Sequence, residues 1–182
     1  MHTDGITIRK MRVSDFELMA QWLSTKEVLE FYGDVNSPFS LERVKAKYGP
    51  RIHGDVPIHP YIVELNNSPM GYMQQYHLSD AKKEEFGYPA SMKICGIDQF
   101  IGEPELFNQG LGTAMVKKFI KFLYDTTDFH KIILDPDISN KRAIRCYEKC
   151  GFRKVIVINA GSNWLMEYSR SNKWSVQQKA EI

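Results

Sequence analysis

Three features that mark common protein classes are scarce or absent in this sequence, beginning with an excess of positive charge. The chain has 24 Lys and Arg against 22 Asp and Glu, and the positive residues do not gather in any one segment. A protein that binds the phosphate backbone of a nucleic acid concentrates Lys and Arg on one face or in one segment. The sequence therefore predicts no nucleic-acid partner.

Cysteine is also scarce. The three residues, Cys95, Cys146 and Cys150, are odd in number, and their spacing fits neither a disulfide framework nor a zinc site. Cys146 and Cys150 lie one helical turn apart and could in principle share a metal ion, but no further Cys or His stands at ligand spacing. We expect reduced thiols that pack in the interior, and no metal.

Long apolar runs are the third absence. No stretch approaches the roughly 20 residues that cross a bilayer, and the N-terminal segment MHTDGITIRK lacks the apolar core of a secretory signal. These features predict a cytoplasmic protein without membrane contact. A chain of 182 residues is most simply one domain with its own core. We expect that domain over residues 1–171, followed by a polar tail over residues 172–182.

The remaining segments alternate between strand and helix patterns. Strands are predicted at residues 6–11, HPYIVEL, MGYMQQYHL, SMKICGIDQFI, KIILD and two segments around the turn NAGSN. Helices are predicted after a capping box from Ser14 to Glu17, from Ser40 to about Tyr48, after Gly110, and from Ser139 to Lys149. YGPRIHGDVP is expected to end the second helix, and SDAKKEEFGYP to form a loop. This order predicts an α+β fold, an α/β sandwich on a mixed sheet.

The stretch FNQGLGTAMVKKFIKFLYD places Gly110 and Gly112 at the start of a strongly amphipathic helix. A helix start leaves its first N–H groups unpaired and carries the positive end of the helix dipole, so glycines there suit a backbone that closes around phosphate. The residues that follow match neither a Walker loop nor a dinucleotide-binding fingerprint. An ordinary helix start with permissive glycines is the alternative.

A second pattern stands some thirty residues later, in SNKRAIRCYEKCGF. Asn140, Ala143 and Tyr147 fall near one face of the predicted helix. Together with the Gly110-x-Gly112 turn, this pattern resembles the GNAT superfamily of acyl-CoA-dependent N-acetyltransferases. Within it, the segments GIDQFIGEPELFNQGLGT, ILDPDISNKRAIRCYEKCGF and WLSTKEVLEFYG are similar to the aminoglycoside 6'-N-acetyltransferases. The resemblance covers about residues 6–168.

The resemblance implies a GNAT-type mixed, mostly antiparallel central sheet of about six to seven strands flanked by about four helices. It also implies acetyl-CoA as co-substrate and a cationic amine, the 6'-amino group of an aminoglycoside, as acceptor in a direct ternary-complex transfer. We expect a monomer or a homodimer. The residues implied to bind acetyl-CoA are Gln99, Phe100, Ile101, Gln109, Gly110, Leu111, Gly112, Thr113, Asn140 and Tyr147.

Asp98 and Asp135 each stand at or near the end of an apolar strand, where a carboxylate is costly unless it has a partner or a task. The resemblance makes both of them binders of the cationic acceptor, with Asp98 as general base. It makes Tyr147 the acid that protonates the leaving thiolate. The other residues implied to contact the acceptor are Glu84, Glu85, Tyr32 and Tyr61.

Each assignment has a structural alternative. Asp98 and Asp135 could be polar strand ends and Tyr147 a core tyrosine. The remaining alternatives are a helix cap for Asn140, a solvated charge run for Glu84 and Glu85, and core packing for Tyr32 and Tyr61. Two other functions also stay open. One is a GNAT enzyme that acetylates a polyamine, a siderophore precursor or a protein N-terminus, and the other is a non-catalytic acyl-CoA-binding module.

Overall fold

The computed structural model describes residues 5–169 of the chain, which form seven β-strands and six α-helices. The strands are β1 (Ile6–Lys10), β2 (Ile58–Leu65), β3 (Ser68–His77), β4 (Ile94–Ile101), β5 (Lys131–Leu134), β6 (Arg153–Ile158) and β7 (Asn163–Ser169). The helices are α1 (Phe16–Trp22), α2 (Lys26–Tyr32), α3 (Leu41–His53), α4 (Asp80–Glu85), α5 (Leu111–Thr126) and α6 (Lys141–Cys150). The tail predicted over residues 172–182 lies outside the described residues.

The seven strands form one mixed sheet in the order β1-β2-β3-β4-β5-β7-β6. The pairs β1–β2, β2–β3, β5–β7 and β6–β7 are antiparallel, and β4–β5 is parallel. The predicted α+β class and the mostly antiparallel sheet are therefore confirmed. Each predicted strand is present, including the hairpin of β2 and β3, whose two-residue turn places both Asn66 and Asn67 at positive φ.

The helices differ from the prediction in length and number. The sequence predicts that α3 ends near Tyr48, but it continues to His53. Pro50 withholds only its own N–H from the helix, and the helix ends where Gly54 takes a left-handed conformation with φ of +83°. Helices α2 and α4 are additions to the four predicted. They have only seven and six residues, and α4 lies within SDAKKEEFGYP, which the sequence predicts to be a loop.

The predicted capping box from Ser14 to Glu17 is wrong. A short 3₁₀ turn over Val13–Asp15 precedes α1, and the Asp15 carboxylate accepts the Arg12 N–H at 2.7 Å. Arg9 holds the same carboxylate through two hydrogen bonds of 2.8 Å. The start of α1 is therefore organised by an ion pair to the preceding strand.

The described residues divide into two compact units. The first contains residues 5–76 and 98–115, and its core lies between helices α1–α3 and strands β2–β4. The buried members of this core are Met11, Phe16, Met19, Trp22, Leu23, Val28, Phe39, Val44, Tyr48, Ile62, Tyr72 and Phe100.

The second unit contains residues 77–97 and 116–169. One of its apolar clusters consists of Leu78, Ile94, Ile133 and Leu165, with Phe86, Tyr88, Met92 and Ile158 packed against it. Within residues 5–169, no helix combines the length and the apolar character that crossing a bilayer requires.

Candidate active site

Asp98 lies on β4 with its side chain half-buried, among residues that are otherwise mostly apolar. Its Oδ2 accepts a hydrogen bond from Gln74 Nε2 on β3. Burial raises the pKa of the Asp98 carboxyl above its ordinary value, and the Gln74 hydrogen bond and the charges of Arg51 and Lys47 only partly oppose that rise. A carboxylate whose pKa is raised is a stronger base than an ordinary aspartate, which suits a group that must accept a proton.

Gln74 connects Asp98 to helix α3. Its Oε1 accepts hydrogen bonds from Arg51 Nη1 and from the Tyr72 hydroxyl, the latter at 2.8 Å. Because both of these partners are donors, the amide must point its oxygen toward them and its Nε2 toward Asp98. The result is a chain from Arg51 through Gln74 to Asp98 in which the buried amide uses both of its ends.

Sequence reasoning missed Gln74, Arg51 and Lys47. A signal for Gln74 existed, since Gln74 and Gln75 are consecutive buried polar residues in a strand otherwise read as apolar. Arg51 had no such signal, because it stands in a segment that the Gly-Pro pair marks as a helix end.

Helix α3 presents a row of cations along one face. Arg43, Lys47 and Arg51 are spaced four residues apart, and each contacts an aromatic ring. The Arg43 guanidinium lies 3.9 Å from the Phe39 ring centre, Lys47 Nζ lies 4.9 Å from the same centre, and the Arg51 guanidinium lies 5.0 Å from that of Tyr48. Burial and the charges of Arg51 and Arg43 lower the pKa of the Lys47 ammonium. The charged groups of these three side chains therefore lie against aromatic rings.

A cluster of aromatic rings also lies near Asp98. The Tyr32 ring lies 4.6 Å from that of Phe100 and 6.3 Å from that of Tyr72. Burial raises the pKa of the Tyr32 phenol well above its ordinary value. Tyr61 is buried on β2 opposite Met73. The predicted acceptor-binding pair is therefore placed differently, with Tyr32 in the cluster around Asp98 and Tyr61 in the core.

The glycine turn opens α5 as predicted. Asn108 and Gly110 both have positive φ, at +61° and +80°, and the Ala114 N–H donates to the Gly110 carbonyl at 3.1 Å. The first turn of α5 therefore begins directly after Gly110, and its N–H groups stand at the positive end of the helix dipole. A Cβ atom built on Gly110 would meet no atom within 4 Å, so the turn is open on that side. This geometry fits the close approach of a phosphate to backbone amides.

Gln99, Phe100 and Ile101 form the C-terminal end of β4. The register of β4 with β5 covers Ile94 to Gly96, while β4 itself continues to Ile101. On the other side, β3 approaches so closely that a Cβ on Gly71 would lie 2.6 Å from the Phe100 carbonyl oxygen. The Phe100 side chain belongs to the core of the first unit, so only the backbone of this residue is available for the predicted binding of acetyl-CoA.

The other predicted site residues lie in the second unit. Asn140 Oδ1 caps α6 by accepting the Ala143 N–H at 3.0 Å, which makes Asn140 the residue before the helix in place of Ser139. The Tyr147 side chain is only 9% exposed, and its ring packs edge-on against Phe152 at 6.1 Å. Asn140 is thus a helix cap, and the Tyr147 ring packs in the interior.

The three acidic residues of the second unit that were predicted to contact the acceptor, Asp135, Glu84 and Glu85, are exposed. Asp135 directly follows β5, and its carbonyl oxygen accepts a hydrogen bond of 2.8 Å from Asn163 Nδ2. Glu84 and Glu85 lie on α4, where Glu85 forms an ion pair with Lys82 at 2.8 Å. Within residues 5–169, no three His, Cys, Asp or Glu side chains group together as a metal site would require.

Comparison with known proteins shows which family the chain resembles. The family model described as an acetyltransferase (GNAT) domain matches residues 12–160. Aminoglycoside N(6')-acetyltransferase type 1 from Klebsiella pneumoniae is 32% identical over 151 residues, which are 83% of this chain and 75% of that protein. The aminoglycoside acetyltransferase AAC(6')-Ib, solved with coenzyme A and kanamycin, superposes with a TM-score of 0.81 at 30% identity, over 94% of this chain and 99% of that one.

A second solved enzyme shares the fold at lower identity. Spermidine N-acetyltransferase from Vibrio cholerae, solved with CoA and spermine, has a TM-score of 0.75 at 17% identity, over 92% of this chain and 97% of that one. At this identity the likeness shows the fold alone.

Proposed function

The chain belongs to the GNAT acetyltransferase family, and from this premise we propose that it transfers the acetyl group of acetyl-CoA to the 6'-amino group of an aminoglycoside. The observation that carries the proposal is the similarity, over nearly the whole chain, to an aminoglycoside acetyltransferase solved with coenzyme A and kanamycin. A cytoplasmic location, a monomer or homodimer, and a single domain over residues 1–171 remain predictions that accompany it.

Asp98 is the proposed general base. An aminoglycoside amine reaches the site as an ammonium ion, which must lose a proton before its nitrogen can attack the thioester. A half-buried carboxylate attracts that ammonium, and its raised pKa makes it a better proton acceptor than an exposed aspartate. The hydrogen bond from Gln74 fixes one carboxylate oxygen and leaves the other for the acceptor.

The turn at the start of α5 is the proposed binding site for the pyrophosphate of acetyl-CoA. The residues are Gln109, Gly110, Leu111, Gly112 and Thr113, whose amides stand at the positive end of a sixteen-residue helix. Support comes from the positive φ of Gly110 and the open space beside it. The backbone of Gln99, Phe100 and Ile101, at the end of β4, is proposed to pair with the amides of the pantetheine arm.

Tyr147 and Asn140 complete the proposed transfer. As the amine nitrogen forms its bond to the acetyl carbonyl carbon, the bond from that carbon to sulfur breaks and leaves a thiolate. The Tyr147 hydroxyl is proposed to give this thiolate a proton, while Asn140 holds the pantetheine arm. The nitrogen loses two protons as the ammonium ion becomes an amide. Asp98 takes one and releases it to solvent, and the other replaces the proton that Tyr147 gives to the thiolate. Asp135, Glu84, Glu85, Tyr32 and Tyr61 are the proposed further contacts of the acceptor.

The experiment that tests this function measures thiol release from acetyl-CoA with a panel of acceptors. The panel contains kanamycin, tobramycin, a 6'-hydroxyl analogue of the same scaffold, spermidine and a lysine-rich peptide. We expect release with the two 6'-amino drugs and none with the hydroxyl analogue. Release only with spermidine or the peptide would retain the chemistry and replace the acceptor, and no release at all would favour an acyl-CoA-binding module.

Initial rates distinguish the direct transfer from a covalent acetyl-enzyme. When both substrates are varied, direct transfer in a ternary complex produces intersecting double-reciprocal lines, whereas a covalent intermediate produces parallel ones. Parallel lines would contradict the roles proposed for Asp98 and Tyr147, because neither is placed as a nucleophile.

The glycine turn has its own test in Gly112→Val. A branched side chain in the first turn of α5 blocks the close approach of phosphate, so we expect the KM for acetyl-CoA to rise by roughly tenfold or more, a loss of about 1.4 kcal/mol. The KM for the amine should change little. Lys118→Val, at an exposed position of the same helix, controls for the helix-propensity cost of a branched residue. Equal rises in both KM values would count against the assignment.

A further inference from the structure

Helix α6 carries two thiols on neighbouring turns. Cys146 and Cys150 are four residues apart, which places both side chains on one helix face. Their thiols form a hydrogen bond with each other. Cys150 is 7% exposed, whereas Cys146 is partly exposed. Cys146 is therefore the more accessible residue of the pair, and the two thiols are adjacent.

The surroundings of Cys150 disfavour the common reactions of a cysteine thiolate at this residue. The hydrogen bond to Cys146, burial and the nearby Cys146 charge raise the pKa of the Cys150 thiol, and the charge of Lys117 opposes this only in part. Alkylation and peroxide oxidation both require the thiolate, so a thiol held in its protonated form reacts slowly. A tetrahedral metal site is also unsupported, since within residues 5–169 no third His, Cys, Asp or Glu joins the two sulfurs.

What suits the pair is a reagent that binds two sulfurs at once. Trivalent arsenic is soft and forms strong bonds to thiols, and a second thiol within hydrogen-bonding distance of the first converts its binding into an intramolecular step. We propose that Cys146 and Cys150 form a binding site for monosubstituted trivalent arsenicals, independently of the acetyl-transfer site.

The reaction balances without an oxidant or a reductant. An arsenical RAs=O condenses with the two S–H groups to give RAs(S-Cys146)(S-Cys150) and one molecule of water. Two S–H bonds and the As=O bond are replaced by two As–S bonds and two O–H bonds, and arsenic stays trivalent. The product is a ring that spans one turn of α6.

The chelate also has a consequence for Tyr147, which stands between the two cysteines in the chain and packs against Phe152. A ring bridging residues 146 and 150 adds bulk to the turn that carries the phenol. On the proposed function, acetyl transfer should therefore fall when the arsenical binds. This loss of transfer rests on the proposed function, whereas the binding of the arsenical does not.

Phenylarsine oxide is the probe for the binding test. With equimolar reagent, native mass spectrometry should show one adduct whose mass gain equals the reagent minus one water. The thiol count of the denatured protein should fall from three to one, since the chain contains three cysteines and two are bound. Dithiothreitol should remove the adduct, and the monothiol glutathione at equal thiol concentration should not.

Variants identify the sulfurs that bind. Cys146→Ala and Cys150→Ala should each lose the adduct that survives glutathione, while Cys95→Ala, which removes the buried thiol of β4, should keep it. Cys146 is the more exposed of the pair, so its variant decides the question if the Cys150 variant folds poorly. The proposal is overturned if the wild type forms no adduct, if the adduct persists in Cys146→Ala, or if Cys95→Ala abolishes it. Loss of activity without an adduct would likewise refute it.

Discussion

Asp15 and Asp98 are both carboxylates of the first unit that lie largely out of solvent, and their surroundings shift their pKa values in opposite directions. Burial pushes the pKa of the Asp15 carboxyl upward, but the hydrogen bonds from Arg9 and from the Arg12 N–H outweigh it and leave the value below the ordinary one. At Asp98 burial prevails, because the hydrogen bond comes from the neutral amide of Gln74.

The difference lies in where the cation stands. Arg9 donates two hydrogen bonds of 2.8 Å directly to Asp15 and a third, from Nε, to Glu64 at 2.7 Å. The Arg51 guanidinium instead donates its hydrogen bond to Gln74, and Gln74 in turn donates to Asp98. A neutral amide placed between a cation and a carboxylate orients the carboxylate without fully neutralising it. The first arrangement stabilises the fold, and the second leaves a base that can still take a proton.

The largest expected effect is on catalysis. Asp98→Asn retains an oxygen that can accept the Gln74 hydrogen bond but has no basic group, so kcat/KM should fall by about 10²- to 10⁴-fold. Circular dichroism and thermal melting should show an intact fold. The surface variant Asp125→Asn, which breaks an exposed pair with Lys121, is the matched control and should retain full activity. Wild-type rates in Asp98→Asn would show that Asp98 is not the general base.

Asp15→Asn should produce the opposite result. The amide cannot satisfy the Arg9 guanidinium as a carboxylate does, and a charge-assisted hydrogen bond contributes about 2 kcal/mol, so the free energy of unfolding should fall by roughly that amount. Urea denaturation measures this change, and Asp125→Asn should leave the midpoint almost where it is. The kcat of the Asp15 variant, per folded molecule, should equal that of the wild type. A catalytic defect with unchanged stability would contradict the contrast drawn between the two carboxylates.

The pH dependence of the free energy of unfolding tests this comparison. The folded-state pKa shifts of the two carboxyl groups have opposite signs, so their contributions to stability change with pH in opposite directions. The folded-state pKa of Asp15 is lowered, so its stabilisation is present above the unfolded pKa of about 3.9 and is lost as pH falls through the folded value. The folded-state pKa of Asp98 is raised, so its contribution is present below the unfolded pKa and is lost as pH rises through the folded value.

Urea denaturation at neutral and at acidic pH measures the contribution of each carboxyl group to the free energy of unfolding. At neutral pH, Asp15→Asn should be less stable than the wild type, and Asp98→Asn should be equally or more stable. Both differences should shrink in acid, where the carboxyl groups of the wild type are protonated in the folded and unfolded states. Two differences of the same sign at neutral pH would contradict the assigned pKa directions.

The smallest expected effect comes from Lys47→Met. The Lys47 charge lowers the pKa of Asp98, so its removal should move the acid limb of the kcat/KM profile to higher pH. Lys45→Met, two residues away on the same helix, removes an equal charge from a residue that does not act on Asp98, and it should leave the limb in place. An identical shift in both variants would indicate a general effect of net charge.

The hydrogen bonds around Asp98 join residues that are far apart in the chain, so they could not be predicted from the sequence. Gln74 bonds to Asp98, 24 residues away, and to Arg51, 23 residues away in the other direction. Arg51 can reach Gln74 only because α3 continues past Pro50 to His53. A local pattern that marks Gly-Pro as a helix end therefore hides the residue that orients the amide beside the proposed base.

Features that depend on neighbouring residues were predictable from the amino-acid order alone. Alternating side chains identified the strands, and adjacent turn residues located the β2–β3 hairpin and the start of α5, because period, φ preference and helix capping act over a few residues. The three-dimensional fold settled the rest: the length of α3, the pairing of Arg9 with Asp15, and the Arg51–Gln74–Asp98 chain. Burial and charge pairing arise between residues far apart in the chain, so the surroundings that separate a structural carboxylate from a proposed base exist only after folding.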